Sequence, residues 1–217
     1  MAFLLRKKDK WGWRALSLAF VHPGQAFHSL RKNPRRGAVG FGAMLCVSLL
    51  YTLVAHFLDR LHAPPVPPPF LNIPAESYFH WATYFYAPAM LAAWVLASAI
   101  LQILSRLCGG RGAFEDTLAL TGAASALGTL ATLLPDLAIT SIQVMGFMDY
   151  GPWRYSVDHG GVWFYIVWFY LILYALLFLV FYARVVEETH RLSKAEAAWI
   201  GAAGFIAYQG FLILFAR

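Results

Sequence analysis

The stretch "GGRGAFEDTLALTG", residues 109–122, links two long apolar runs through a glycine cluster and an acidic pair. Glycine commonly ends a helix in the left-handed conformation, so Gly109 and Gly110 stop the upstream helix. Glu115 and Asp116 then fall in the first turn of the next helix. There the exposed amides and the positive end of the helix dipole favour anionic side chains by ~0.3–1 kcal/mol each. On this reading the pair punctuates a helix that is entering a membrane; the alternative is a partner or cation site at that face.

Working outward, the chain has 217 residues, 60% hydrophobic and 13% charged, a balance that assigns part of its solvent to a bilayer. Five stretches match the ~20 residues that cross a hydrocarbon core. They run Ala38–Leu58, Tyr78–Leu104, Thr117–Val144, Val162–Ala183 and Ala197–Phe215. The predicted fold class is all-α: five transmembrane helices behind an N-terminal interfacial amphipathic helix. Residues 1–37 form the basic N-terminal segment and residues 38–217 the membrane domain. The opening "MAFLLRKKDKWGW" lacks the long apolar region of a secretory signal, so no cleavage is expected. Cys46 and Cys108 fall at different depths, which argues against a disulfide, and neither has metal-ligand spacing.

Basic residues set the orientation, because short loops rich in lysine and arginine stay on the cytoplasmic side. Fourteen of the seventeen lie before the first span or in the second-to-third and fourth-to-fifth connections, leaving Arg60, Arg154 and Arg217 opposite. The N-terminus is therefore expected in the cytoplasm and the C-terminus outside. The formal charge of +6 then suits anionic lipid headgroups rather than nucleic acid, for which no soluble domain presents a face.

In "HPGQAFHSLRKNPRRG" Pro23 opens a short helix and Asn33, before Pro34, closes it. Phe27 and Leu30 share one face, expected against acyl chains, while Arg31, Lys32, Arg35 and Arg36 reach toward phosphates. Trp11 and Trp13 suit the same headgroup depth. Alternatively, the segment is a basic flank that only fixes topology. The proline run "APPVPPPF" reads as an extended spacer. Pro88 should kink the second span, and Gln102 is its only amide. The fourth span packs Trp163, Phe164, Tyr165, Trp168, Phe169 and Tyr170 into eight residues and is expected on the lipid-facing outside. "TGAASALGTLA" and "AAWIGAAGFIA" are rich in small residues, so the third and fifth helices are expected at the bundle centre. Ser193 with Glu196 forms a capping-box pattern that starts the fifth helix near Lys194. Arg184 with Glu188, and Glu187 with Arg191, are spaced for pairing along a continued fourth helix.

Several of these segments resemble a known family. Pro23, Phe27, Leu30 and Pro34, with "GGRGAFEDTLALTG" and "HRLSKAEA", are similar in order and spacing to bacterial Yip-domain (Ypt-interacting protein) membrane proteins. The resemblance implies a five-helix membrane domain with a cytoplasmic N-terminus, here in a bacterial inner membrane. Its eukaryotic members are associated with Rab-type GTPases and vesicle traffic. This chain lacks their long N-terminal region with its Asp-Leu-Tyr-Gly-Pro motif, and reads Gly122-Ala123 where they have Gly-Tyr, which puts a GTPase partner in doubt.

Asp136 is the one charged residue within a predicted span. Pro135 and Asp136 in "LLPDL" read either as the start of a new helix or as a polar site in the bundle with Gln143 and Thr140 as neighbours. His56, His62, His80 and His159 share no ligand spacing, and no nucleophile, phosphate-loop or paired-carboxylate pattern is present. Neither a metal nor a cofactor is expected, and enzymatic activity is not. Two classes of function remain: a membrane organiser or adaptor that binds lipid surface or other membrane proteins, and a small transporter, channel or lipid-moving protein with a polar path near Asp136.

Overall fold

The computed structural model describes residues 18–65 and 73–216, and the elements within them are helical. A short helix α1 (Pro23–Arg31) precedes α2 (Arg36–Arg60). A 3-10 turn at Ala75–Ser77 leads into α3 (Tyr78–Leu107), which is followed by α4 (Phe114–Val144). A second short helix, α5 (Tyr150–Asp158), comes before α6 (Val162–His190) and α7 (Lys194–Ala216). Five helices, α2, α3, α4, α6 and α7, are long and apolar enough to cross a membrane. Trp11, Trp13 and most of the proline run lie outside the described residues.

The five long helices close a ring. The main contacts pass from α4 to α2, α2 to α3, α3 to α7, α7 to α6 and α6 back to α4, while α3 also touches α4 across it. Close approach explains part of this order. A Cβ on Gly40 of α2 would collide with the Ala119 carbonyl oxygen of α4, and one on Gly201 of α7 would stand 2.7 Å from the Ala183 nitrogen of α6. Small residues let these backbones meet without a side chain between them.

The burial of each helix follows its composition. In α4, 78% of the most apolar stretch is buried, against 22% in α6, whose Tyr165, Trp168 and Phe169 face outward while Tyr170, expected beside them, turns into the bundle with Tyr174, Phe178, Phe181 and Tyr182. The expectation for α7 needs correction, since only 28% of the corresponding stretch is buried. Its small residues serve one contact face, against Leu101 of α3 and Tyr182 and Ala183 of α6, and its other face points away from the bundle.

The turn signals hold in detail. Gly109 has φ +84°, and the Gly110 amide donates to the Ser105 carbonyl at 2.8 Å, closing α3. The Ser193 amide donates to Glu196 Oε2 at 2.9 Å, and the Glu196 amide donates back to Ser193 Oγ at 3.3 Å. At Pro135, however, no helix begins. α4 runs unbroken from Phe114 to Val144, because losing one backbone bond at a proline is tolerated where neighbouring helices enclose the chain.

A candidate functional site at each end of the bundle

One end carries α1 with the α3–α4 and α6–α7 turns, and is called the basic end below. There α1 lies on the bundle rather than apart from it. Phe27 and Leu30 are 1% and 2% exposed, and the Phe27 ring meets Phe181 of α6 edge-on at 5.9 Å. The expectation that these two side chains face acyl chains is thus corrected: bundle side chains cover them. The exposed apolar residues of the segment leading into α1 are Leu18, Phe20 and Val21 instead.

The charged face of α1 is tied down as well. His28 Nδ1 is 2.7 Å from Glu188 Oε1, and Arg31 donates from Nη1 to the Glu188 carbonyl. Arg31 Nε lies 3.5 Å from Asp116 Oδ2, while Arg36 Nε donates to Asp116 Oδ1. Asp116 therefore joins α1 and α2 to the first turn of α4, and its side chain is only 14% exposed. The acidic pair divides: Glu115 is exposed, and Asp116 is an interhelical ion-pair partner as well as a helix-entry charge. Glu188, spaced for Arg184, is instead occupied by α1, and Arg184 pairs with Glu187.

Beneath these ion pairs the glycine turn is fastened from inside. The Gly112 amide donates to His190 Nδ1 at 3.2 Å, so that nitrogen carries no proton. The imidazole is then neutral and its Nε2 donates to Thr117 Oγ1 at 3.0 Å. Thr117 donates to Gln102 Oε1 at 2.7 Å, and Gln102 and Arg106 both donate to the Gly112 carbonyl. Three helices thus converge on one turn, and a Cβ on Gly112 would stand 2.6 Å from the Thr189 carbonyl oxygen.

At the opposite end the helices part around a cavity. A compartment of 550 Å³ takes its lining from α2, α3, α4, α5 and α6, with Asp136 in its wall. A second, of 230 Å³, lies against it and adds Tyr208 and Gln209 of α7. The Tyr51 hydroxyl is 2.6 Å from Thr132 Oγ1 and 3.2 Å from Asp136 Oδ2. The Tyr170 hydroxyl donates to Asp136 Oδ1 at 3.1 Å. Tyr174 donates to Gln209 Oε1 at 2.7 Å. Arg154 of α5 reaches the lining with its charge held by both oxygens of Asp158, at 2.8 and 2.7 Å.

Comparison with known protein families matches the Yip1 domain over residues 18–216. The chain belongs to the Yip1-domain family. No curated protein and no solved structure matches it, so the comparisons add no function or ligand.

Within this Yip1 domain the site residues expected from sequence fall into three groups. Arg31, Arg36 and Asp116 meet at the basic end, with Lys32 and Arg35 exposed beside them. Asp136 stands on the cavity, whereas Gln143, two turns further along α4, is 4% exposed with neither amide atom hydrogen-bonded and does not join the lining. Trp11 and Trp13 lie outside the described residues. The sequence reading missed Glu188 and His190 as partners of α1 and of the glycine turn, and Tyr51 and Tyr170 as partners of Asp136. Only Gln102, the lone amide of its span, carried a local signal. Among the described residues no three His, Cys, Asp or Glu side chains converge as metal ligands.

Proposed function

We propose that this Yip1-domain protein is a non-enzymatic membrane organiser whose basic end rests on the anionic cytoplasmic surface of a bacterial plasma membrane and recruits other membrane proteins there. The observation that carries this reading is the fixed posture of α1. Ion pairs to Asp116 and Glu188, with Phe27 seated on Phe181, hold it so that Lys32 and Arg35 stay exposed beyond one end of the helix and the apolar Phe20 and Val21 before the other. Exposed cations together with exposed apolar side chains suit a headgroup interface, where each cation gains ~1 kcal/mol near anionic lipid.

The full chain in nanodiscs of mixed neutral and anionic lipid tests this. Lys32→Glu with Arg35→Glu should lower the share of anionic lipid retained around the protein by roughly thirtyfold, following the ~1 kcal/mol for each of two cations. Unchanged retention would reject the surface-binding reading. Orientation is checked separately: reporter fusions at Gly110 and Lys194 are expected to report cytoplasm, and one at Asp158 the outside.

The cavity favours a second reading, a small protein that binds or moves a membrane amphiphile along the polar wall at Asp136. Its test is transbilayer movement of a fluorescent lipid in proteoliposomes, which the organiser reading does not require.

A further inference from the structure

We propose that the cavity binds the ammonium head of a membrane amphiphile on Asp136, with the apolar body of the ligand reaching inward past Thr129. This rests on the second reading above, that the cavity admits an amphiphile, and assigns the chemistry of the head.

Depth gives the first argument. At ~1.5 Å per residue, Asp136 lies about 33 Å along α4 from Phe114, and Thr129 about 22 Å. With the basic end at one surface and a hydrocarbon core ~30 Å thick, Asp136 stands at headgroup level and Thr129 among acyl chains. The two compartments share Tyr51, Tyr86, Thr132 and Leu171, so they adjoin. The inner one is bounded by Met90, Phe205, Leu212 and Ile213. The space runs from Asp136 at headgroup depth to Thr129 at acyl-chain depth, with hydroxyls among apolar side chains along both parts, so an amphiphile can lie in it along the bilayer normal with its head at Asp136.

The lining decides the sign of the head. Both carboxylate oxygens of Asp136 accept from tyrosine hydroxyls, which fixes their position in the wall. The rings of Tyr78, Tyr86, Trp153 and Trp168 line the same compartment. A carboxylate among aromatic faces attracts an organic ammonium through charge and through the ring quadrupoles together. A phosphate facing the same wall is repelled by Asp136, and the Arg154 charge is already engaged by Asp158. The head that fits is therefore an ammonium, primary or methylated.

Unused polar groups supply the third argument. Trp153 Nε1, on the outer compartment, is buried without a hydrogen-bond partner in the protein. Tyr208 OH and Thr129 Oγ1, on the inner one, are likewise buried without a hydrogen-bond partner among the described residues. Buried donors of this kind ordinarily have acceptors. The ester and glycerol oxygens of a phospholipid lie just below its head, so with the head on Asp136 they come nearest Trp153, which lines the same compartment.

The test uses the full chain in nanodiscs of equimolar phosphatidylethanolamine and phosphatidylglycerol with identical acyl chains, the cavity lipid being counted by native mass spectrometry as the lipid that Ala175→Trp displaces, apart from anionic lipid held at the basic end. The two lipids share the phosphate and differ in the ammonium. Wild type should retain phosphatidylethanolamine about tenfold over phosphatidylglycerol, the scale of one desolvated cation–π and charge contact. Asp136→Asn should bring the ratio close to one, Asp136→Glu should restore it, and Asp59→Asn, an acid at the same end away from the lining, should leave it unchanged. N-acetylated phosphatidylethanolamine, which keeps the phosphate and loses the ammonium, should lose the preference on unaltered protein, so the test does not depend on a variant folding. No preference in wild type, or a preference that survives either Asp136→Asn or N-acetylation, overturns the assignment. Ala175→Trp, which fills the inner compartment, separates the two readings. If it leaves retention of both lipids unchanged, the amphiphile reading itself fails; if it lowers both while the wild-type ratio is flat, only the ammonium assignment fails.

Discussion

The two ends of the bundle use the same five helices in opposite ways. At the basic end glycine backbones touch, His190 and Gln102 fill the space beneath the turn, and ion pairs lock α1 over the top. At the other end tyrosines and threonines project between the helices, and hydroxyls rather than close-packed methyl groups face a cavity. The difference teaches that a helix ring built from apolar sequence closes where side chains are small and opens where large polar-tipped rings must be accommodated. It also assigns different physical work to the two acids of α4: Asp116 joins helices through arginines, and Asp136 accepts hydrogen bonds from the hydroxyls of Tyr51 and Tyr170 in the wall of a cavity.

The largest effect should come from forcing the closed end apart. Gly40→Val places its Cβ against the Ala119 backbone, which cannot withdraw as a side-chain tip could, and is expected to destabilise by about 3 kcal/mol or more. Thermal unfolding in detergent would show this; an unchanged midpoint would mean that α2 and α4 do not approach as described.

Next in size is His190→Ala, which leaves the buried Gly112 amide without its acceptor at a cost of about 2–3 kcal/mol. Hydrogen exchange at Gly112 should accelerate while the exchange of the α6 core does not. His190→Gln, which can still offer an acceptor, is expected to recover part of the loss.

Asp116→Asn removes the charge shared by Arg31 and Arg36, both of which are partly solvated, so about 1–2 kcal/mol is expected. Glu115→Gln, on the exposed side of the same turn, should cost no more than about 0.5 kcal/mol. Equal losses in the two variants, measured by denaturation in the same detergent, would erase the distinction drawn between the acids.

The smallest structural effect is expected at the open end. Tyr170→Phe deletes one donor to Asp136 without changing the packing volume of the ring, for about 0.5–1.5 kcal/mol. Its more telling readout is lipid retention, which should change more than the unfolding midpoint does. A change confined to stability would make the Asp136 hydrogen bonds structural only.

Much of this architecture was legible because local rules act within a few residues of one another. Five apolar runs of spanning length, Gly109 at a helix end, Ser193 and Glu196 at a helix start, and the ring-rich lipid-facing span are such signals, and each reads without knowing what lies across the bundle. The failures share one cause as well. Phe27 and Leu30 form an apolar face whether lipid or protein covers it, so their spacing could not say that Phe181 would. Pro135 is a start signal by local preference, but the packing of α2 and α6 against α4 carries the helix through it.

By itself, then, the sequence determined the number of long helices, their approximate limits, the basic asymmetry between the two ends and the family, because hydropathy, capping and charge are properties of short segments, whereas the short helix α5 went unforeseen. Tertiary structure alone decided which acid pairs and which faces a cavity. Arg31 is 85 positions from Asp116, and Tyr170 is 34 from Asp136. Contacts over such separations are set by how the helices close into a ring, where a glycine lets two backbones meet and a tyrosine holds two others apart.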